Sequence, residues 1–276
     1  MAKETIIFTI ILLLFLFIYS YFVEPFSLQI VRRDLSYSDL PLNLEGLKIM
    51  HLSDFHCRSF TIREKRLVEV ITREKPDFIF FTGDFVEKDE WISSCEEILS
   101  RIANENPNFF GVFGNHDHGL NTSTEKLESI FEKKGIKILT NESTVIKFKN
   151  GRFYLIGIDD PYLDYDNLSS ALEDVEKNKF KILLSHSPQI FLEEKELINN
   201  NDIDLILSGH THGGQINIPF ITDFFLSLWP SGKYTVGLFE EGKVLVYVNR
   251  GIGSFYRLPL RLNAPPEATI ITLRLK

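Results

Sequence analysis

The sequence predicts an α/β protein: one domain of two β-sheets flanked by helices, preceded by a single apolar N-terminal segment. Three observations carry this. Between residues 47 and 209, short apolar runs alternate with charged, helix-like stretches, the pattern of a layered α/β fold. Those runs are continuously apolar rather than alternating, as in strands covered on both faces. The C-terminal third is rich in strand-like segments instead, which suggests a second sheet packed on the first.

Residues 6–23, IIFTIILLLFLFIYSYFV, form an uncharged run of 18 residues. As a helix it would be about 27 Å long, enough for one hydrocarbon core. A cleaved signal peptide is the rival reading. Its apolar region is normally shorter and ends in small residues, whereas this run ends in aromatics before Glu24 and Pro25. The expectation is therefore an uncleaved transmembrane anchor over 1–26 and a globular domain over 27–276. Lys3 lies on one side of the run, and Arg32 and Arg33 on the other. By a margin of about one charge, the positive-inside rule favours a cytoplasmic domain on a cell membrane.

Residues 24–46 read as a short extended connector. Strands are predicted at 47–53, 77–83, 109–114, 152–158, 180–185 and 202–209, with helices at 61–75, 91–104, 123–134, 167–177 and 188–199 between them. KYTVGLFEEGKVLVYVN reads as a hairpin turning at Glu241 and Gly242, and EATIITLRL as a final strand. No internal repeat or low-complexity segment follows the apolar run.

The bulk numbers narrow the function classes. At 44% hydrophobic and 25% charged the chain is globular. A net charge of −8 argues against nucleic acid as a partner, which calls for a basic face. An acidic protein can still take phosphate where metal ions supply the positive charge. Cys57 and Cys95 make no disulfide framework and leave the redox compartment open.

Five predicted strands end on groups that bind metals. IMHLSDFH delivers Asp54 and His56; FIFFTGD, Asp84; FFGVFGNHDH, Asn115, His116 and Asp117; KILLSH, His186; LILSGHTH, His210 and His212. In open α/β sheets, ligands bind beyond the carboxyl ends of strands. Asp54 and His56, like His210 and His212, are i, i+2 pairs whose side chains leave an extended chain on one side. Gly83, Gly114 and Gly209 sit where the chain turns off a strand and a positive φ is expected. Singly, each group has a plain reading as a turn, a helix cap or a strand end. Together, five of the seven histidines fall at strand ends beside Asp or Gly. The O and N donors suit Mn, Fe, Zn or Mg, in a number that two metals sharing a carboxylate would require.

The ordered set D-x-H, G-D, G-N-H-D, H and G-H-x-H resembles the calcineurin-like metallophosphoesterase superfamily over residues 47–215. EPF, LKIMHLSDFH, IGIDDP, GHTHGGQ, NRGIG and PPEATIITL, with the apolar N-terminus, resemble its membrane-associated bacterial branch. The resemblance implies a four-layer α/β/β/α sandwich of two mixed β-sheets. It implies that Asp54, His56 and His212 hold one metal, that Asn115, His186 and His210 hold the second, and that Asp84 bridges them. His116 would be the catalytic group that binds no metal, with Asp117 holding its imidazole. The implied chemistry is hydrolysis of a phosphoric ester or pyrophosphate by metal-activated hydroxide, with two divalent ions, Mn favoured, as cofactors.

Outside the motifs, Arg250 is a candidate phosphate contact and His118 a candidate substrate contact or a plain loop histidine. His51 reads as structural, and Asp159 and Asp160 as turn formers. IPFITDFFLSLWP (218–230) reads either as a buried helix or as an apolar lip dipping into a membrane interface. With the anchor, the lip motivates a lipid-linked substrate; hydrolysis of UDP-2,3-diacylglucosamine is one activity of the branch. The alternatives are a broad-specificity phosphatase or phosphodiesterase of the cell envelope, and a metal-binding membrane protein without catalysis. The intact His116–Asp117 pair argues against the last. The oligomeric state is left open.

Overall fold

The computed structural model describes residues 2–226, 228 and 230–276. One sheet contains β1 (Gln29–Tyr37), β2 (Lys48–Leu52), β3 (Phe78–Thr82), β4 (Phe109–Val112), β5 (Ile136–Ile138) and β12 (Glu267–Leu275). The other contains β6 (Glu142–Phe148), β7 (Gly151–Gly157), β8 (Lys181–Leu184), β9 (Leu205–Ser208), β10 (Gly237–Glu241) and β11 (Val244–Val248). Their orders are β1-β12-β2-β3-β4-β5 and β10-β11-β9-β8-β7-β6. Both sheets are mixed: β2, β3, β4 and β5 run parallel while β12 is antiparallel to β2, and β6 and β10 are antiparallel edges on a parallel centre.

The period of two along each strand sorts its side chains into two layers. From β3, Phe78 and Phe80 enter the core between the sheets, while Ile79 and Phe81 face the outer helices. From β9, Leu205 and Leu207 point inward and Ile206 outward. The outer core of the first sheet is closed by α2 (Ile62–Glu74), α3 (Ile92–Glu105) and α5 (Thr124–Glu132), through Leu67, Val70, Ile98, Leu99, Leu127 and Phe131. Ile190 and Ile198 cover the second sheet. These layers make the expected α/β/β/α sandwich, and they explain why the strands lack alternation. Each wholly buried Phe contributes about 1.5–3 kcal/mol by leaving water.

Helix α2 starts at a capping box in which Thr61 and Glu64 exchange hydrogen bonds, and it stops at Lys75, whose φ is 48°, ahead of Pro76. A helical turn, α4 (Asn115–His118), follows β4. Three expectations change. The connector contains β1, nine residues parallel to β12. Only Leu168–Ala171 of the predicted 167–177 helix forms, and the 188–199 helix divides into Ile190–Glu193 and Lys195–Asn200. The C-terminal strands serve both sheets, since β12 joins the first and the β10–β11 hairpin extends the second.

The N-terminal α1 (Ala2–Phe22) is apolar and exposed along nearly its whole length, and it has the length and composition of a membrane span or a signal sequence. Its last turn meets the domain, where Ser20, Glu24 and Pro25 are buried. The 218–230 stretch forms a short helix, Ile221–Leu226, and Phe220, Ile221, Phe224 and Leu228 are exposed rather than buried. Trp229, within the expected apolar lip, lies outside the described residues.

Candidate metal centre

The groups marked by the sequence lie just past the carboxyl ends of β2, β3, β4, β8 and β9, and the two sheets bring them together. The chain is not extended there. Asp54, His56, Asp84, His210 and His212 all have positive φ, between 44° and 68°. Left-handed backbone at a non-glycine residue costs on the order of 1–3 kcal/mol, and its clustering is a mark of a functional site. The i, i+2 pairs therefore reach their partners by sharp turns rather than by strand geometry. Of the three glycines expected to supply positive φ, only Gly83 does. Gly209 is required by close approach instead, since a Cβ there would lie 1.8 Å from Ser53 Oγ and 2.2 Å from Asp54 Oδ2.

Two groups of donors form. In the first, His212 Nε2 lies 3.0 Å from His56 Nε2 and 3.3 Å from Asp54 Oδ1, and His56 Nε2 lies 3.7 Å from Asp84 Oδ2. These four residues converge closely enough to hold one ion. In the second, His186 Nε2 lies 3.3 Å from Asp84 Oδ2, 3.1 Å from Asn115 Oδ1 and 3.1 Å from His210 Nδ1. Asn115 Oδ1 is also 3.0 Å from His210 Nδ1. Asp84 Oδ2 belongs to both groups. The backbone braces the carboxylates: His116 N donates to Asp84 Oδ1 at 2.9 Å, and His210 N to Asp54 at 3.1 Å.

The donor chemistry fits cations. His186 Nδ1 donates to the Thr82 carbonyl at 2.8 Å, which turns the lone pair of Nε2 toward the site. That lone pair faces a carboxylate oxygen and an amide oxygen, so acceptors gather without a donor between them. Burial alone would lower the His186 imidazole pKa, but the Asp84 carboxylate reverses the sign and holds it well above its ordinary value. The place thus calls for positive charge, as a proton or a metal. His210, by contrast, is pushed down to about 3 by burial and by His186, and stays a neutral donor. Two carboxylates, an amide oxygen and four imidazoles suit Mn, Fe, Zn or Mg over a thiolate-seeking ion.

His116 stands at the edge of the first group, its ring centroid 5.1 Å from that of His56. Its expected partner is Asp117, but the structure uses Asp117 otherwise. The buried Asp117 carboxylate accepts from the backbone N–H of Asp84, Phe85, Val86 and Gly114 at 2.9–3.1 Å. Four amides leave no oxygen free for the imidazole. The carboxylate that faces His116 is Glu87, whose Oε1 lies 3.5 Å from His116 Nδ1 and 3.3 Å from His56 Nδ1. Glu87 Oε2 accepts from Tyr256 N at 2.9 Å. Sequence reasoning missed Glu87; the available signal was an acid three residues past Asp84, directly after the apolar pair Phe85 and Val86.

Both candidate substrate contacts are engaged elsewhere. Arg250 Nε donates to Glu267 at 2.6 Å and Nη2 to Gln29 at 3.2 Å. His118 Nε2 is 2.6 Å from Asp159 Oδ1, which gives Asp159 more than a turn to shape. Asp160 caps a helical turn by accepting from Leu163 N. His51 is wholly buried, as a structural residue should be.

A two-sheet sandwich with buried Asp and His donors gathered at its strand ends has the layout of a metal-binding α/β protein. The model of the calcineurin-like phosphoesterase family matches residues 47–214. The metallophosphoesterase YkuE of Bacillus subtilis is 33% identical over 265 residues, covering 93% of this chain and 89% of that protein. Phosphodiesterase YaeI of Escherichia coli is 32% identical and covers 92% of each chain. A Danio rerio transmembrane protein with a metallophosphoesterase domain is 29% identical, over 89% of this chain and 57% of that protein. Among solved structures, GAP50, the anchor in the inner membrane complex of Plasmodium, shares the fold, with a TM-score of 0.50 at 15% identity over 79% of this chain and 76% of that one. The chain belongs to the calcineurin-like phosphoesterase family, whose members are metal-dependent phosphoric ester hydrolases.

Proposed function

We propose that residues 27–276 hydrolyse phosphodiester or pyrophosphate bonds with two divalent cations, on a lipid-linked substrate, beside a membrane anchor at 1–26. The observation that best supports this is the pair of donor groups sharing Asp84 Oδ2. Asp54, His56 and His212 would hold one cation and Asn115, His186 and His210 the other, with Asp84 between them. Such cations, Mn favoured, supply charge for the phosphoryl oxygens and acidity for a water near neutral pH.

The remaining work falls to the chain. Glu87 faces His116 Nδ1, which leaves Nε2 as the atom that moves a proton to the leaving oxygen. His116 suits this because it is partly exposed at the edge of the donors, with a side chain 30% accessible. Phe255, whose ring centroid is 5.4 Å from that of His116, covers one side of the ring and limits water there.

The buried seam at Ser20 and Glu24 supports an anchor retained in the folded protein over a cleaved signal. The exposed Ile218, Phe220 and Ile221 support an apolar substrate moiety, since they follow the His212 turn and face solvent. The charge margin across the anchor favours a cytoplasmic domain.

The test is one assay series on the full chain in detergent, with Mn, Fe, Zn or Mg, on a monoester, a soluble diester and a lipid pyrophosphate, with a chelator control. Metal-dependent turnover highest on the lipid substrate is expected. Equal turnover of the soluble diester would replace this reading with a broad-specificity envelope enzyme. Inactivity on all three would favour a metal-binding protein without catalysis.

A further inference from the structure

We propose that Arg261 is a positioning residue that carries the seating of α1 into the donors around Asp54 and His212. The proposal rests on the reading that those donors hold a cation.

Arg261 is wholly buried and has no carboxylate within hydrogen-bond reach among the described residues. A buried guanidinium without an anion is costly, and here backbone carbonyls and the Ser254 hydroxyl compensate it. Nε donates to Gly253 O at 2.8 Å, Nη1 to Ala264 O at 2.7 Å and Nη2 to Arg250 O at 2.9 Å. Nη2 also lies 3.2 Å from His212 Nδ1, against the edge of a metal-ligand candidate. The planar fork of an arginine can meet the three carbonyls at once while lying against the His212 ring, which a lysine cannot.

On its other side Arg261 is tied to the N-terminal helix. Its backbone N donates to Ser20 O at 2.9 Å, in the last turn of α1. Three residues on, Ala264 N donates to the buried Glu24 Oε1 at 2.7 Å. The segment bearing Arg261 is thus stitched to the end of α1 at two points, on either side of Leu262 and Asn263.

The loop gripped by the guanidinium lies directly on Asp54. Ile252 N donates to Ser53 O at 3.0 Å, and Gly253 N to Asp54 O at 2.6 Å. A Cβ on Gly253 would lie 2.0 Å from Phe55 O, and one on Gly251 would lie 2.6 Å from Asp54 Cβ. A shift of this loop therefore cannot be absorbed locally. Loosening the helix end would move Arg261, and Arg261 would move both the loop over Asp54 and the ring of His212. Glu24 of the EPF segment and the Arg261–Ala264 stretch are thus the two sides of this seam.

The experiment measures Mn2+ affinity on the full chain in detergent, by equilibrium dialysis with metal analysis. Glu24 touches no donor, so Glu24→Ala probes the seam alone. It is expected to weaken Mn2+ binding about tenfold, the usual effect of disturbing an outer contact of a metal site. Glu24→Gln keeps an acceptor for Ala264 N and should restore affinity. Arg261→Lys should weaken binding as much, and adding Glu24→Ala to it should cost nothing further. Hydrogen exchange at the Ile252 and Gly253 amides should quicken in Glu24→Ala and Arg261→Lys alike. Should Arg261→Lys fail to fold, the Glu24 pair and its exchange rates decide. A Glu24→Ala protein that binds Mn2+ as the wild type does, or effects of the two substitutions that add, would overturn the coupling alone. A wild type that binds no Mn2+ would overturn the proposed function with it.

Discussion

Glu87 Oε1 lies 3.5 Å from His116 Nδ1, while the neighbouring Asp117 turns its carboxylate into four backbone amides. The acid that faces the imidazole proposed to move the proton is thus not the one beside it in sequence. Glu87→Gln should lower kcat roughly ten- to hundredfold on an alkyl phosphodiester, a part of the roughly 10²–10⁴-fold that a positioned general acid contributes. A p-nitrophenyl ester, whose leaving group needs no proton, should be nearly unaffected. Equal losses on both substrates would mean that Glu87 acts mainly through His56.

The roles proposed for His116 and Asp84 separate proton transfer from metal binding. His116→Ala should keep bound metal and lose activity by about 100-fold on the same poor leaving group. Asp84→Ala should lose both, because Asp84 Oδ2 belongs to both donor groups. Metal analysis of the two purified variants distinguishes them, and the opposite pattern would reassign both residues.

Asp117 should behave as a structural residue. Asp117→Ala strands the N–H groups of Asp84, Phe85, Val86 and Gly114. Buried unsatisfied donors cost about 1–3 kcal/mol each before relaxation, so a net loss of about 3–5 kcal/mol is expected. Thermal unfolding should show a large fall in Tm, whereas His116→Ala leaves Tm close to that of the wild type. An Asp117→Ala protein with unchanged Tm and lost activity would restore the expected role beside the imidazole.

The core strands and the donors were legible for one reason: each central strand is buried on both faces and ends at a group that the turn beyond it must carry. β1 was not legible, because its partner β12 lies more than 200 residues away and its own exposed residues RRD look like a linker. The predicted helix at 167–177 shrank to one turn because only Leu168, Ala171 and Leu172 of it find buried positions. Glu87 was invisible for the opposite reason. An acid before a lysine reads as solvated surface, and only the closure of the Tyr256 loop over it makes it a buried partner of two imidazoles.

His51 ties stability to pH. Its ring is wholly buried, and Nε2 meets Thr82 Oγ1 at 2.9 Å, while Thr82 Oγ1 donates to Ser53 Oγ at 2.8 Å. With its proton spent on Ser53, Thr82 must accept, so His51 is the neutral Nε2–H form. Burial lowers its pKa from 6.5 to about 3. The unfolded chain therefore binds the proton that the folded one refuses. This contribution to stability is complete above pH ~6.5 and is lost as the pH falls toward ~3. By pH 5 the loss is about 2 kcal/mol relative to neutral pH. His51→Gln keeps an N–H for Thr82 and removes the titration, so its Tm should fall less steeply than that of the wild type between pH 6.5 and 4.5, measured in chelator. Parallel curves would show that other groups govern acid unfolding.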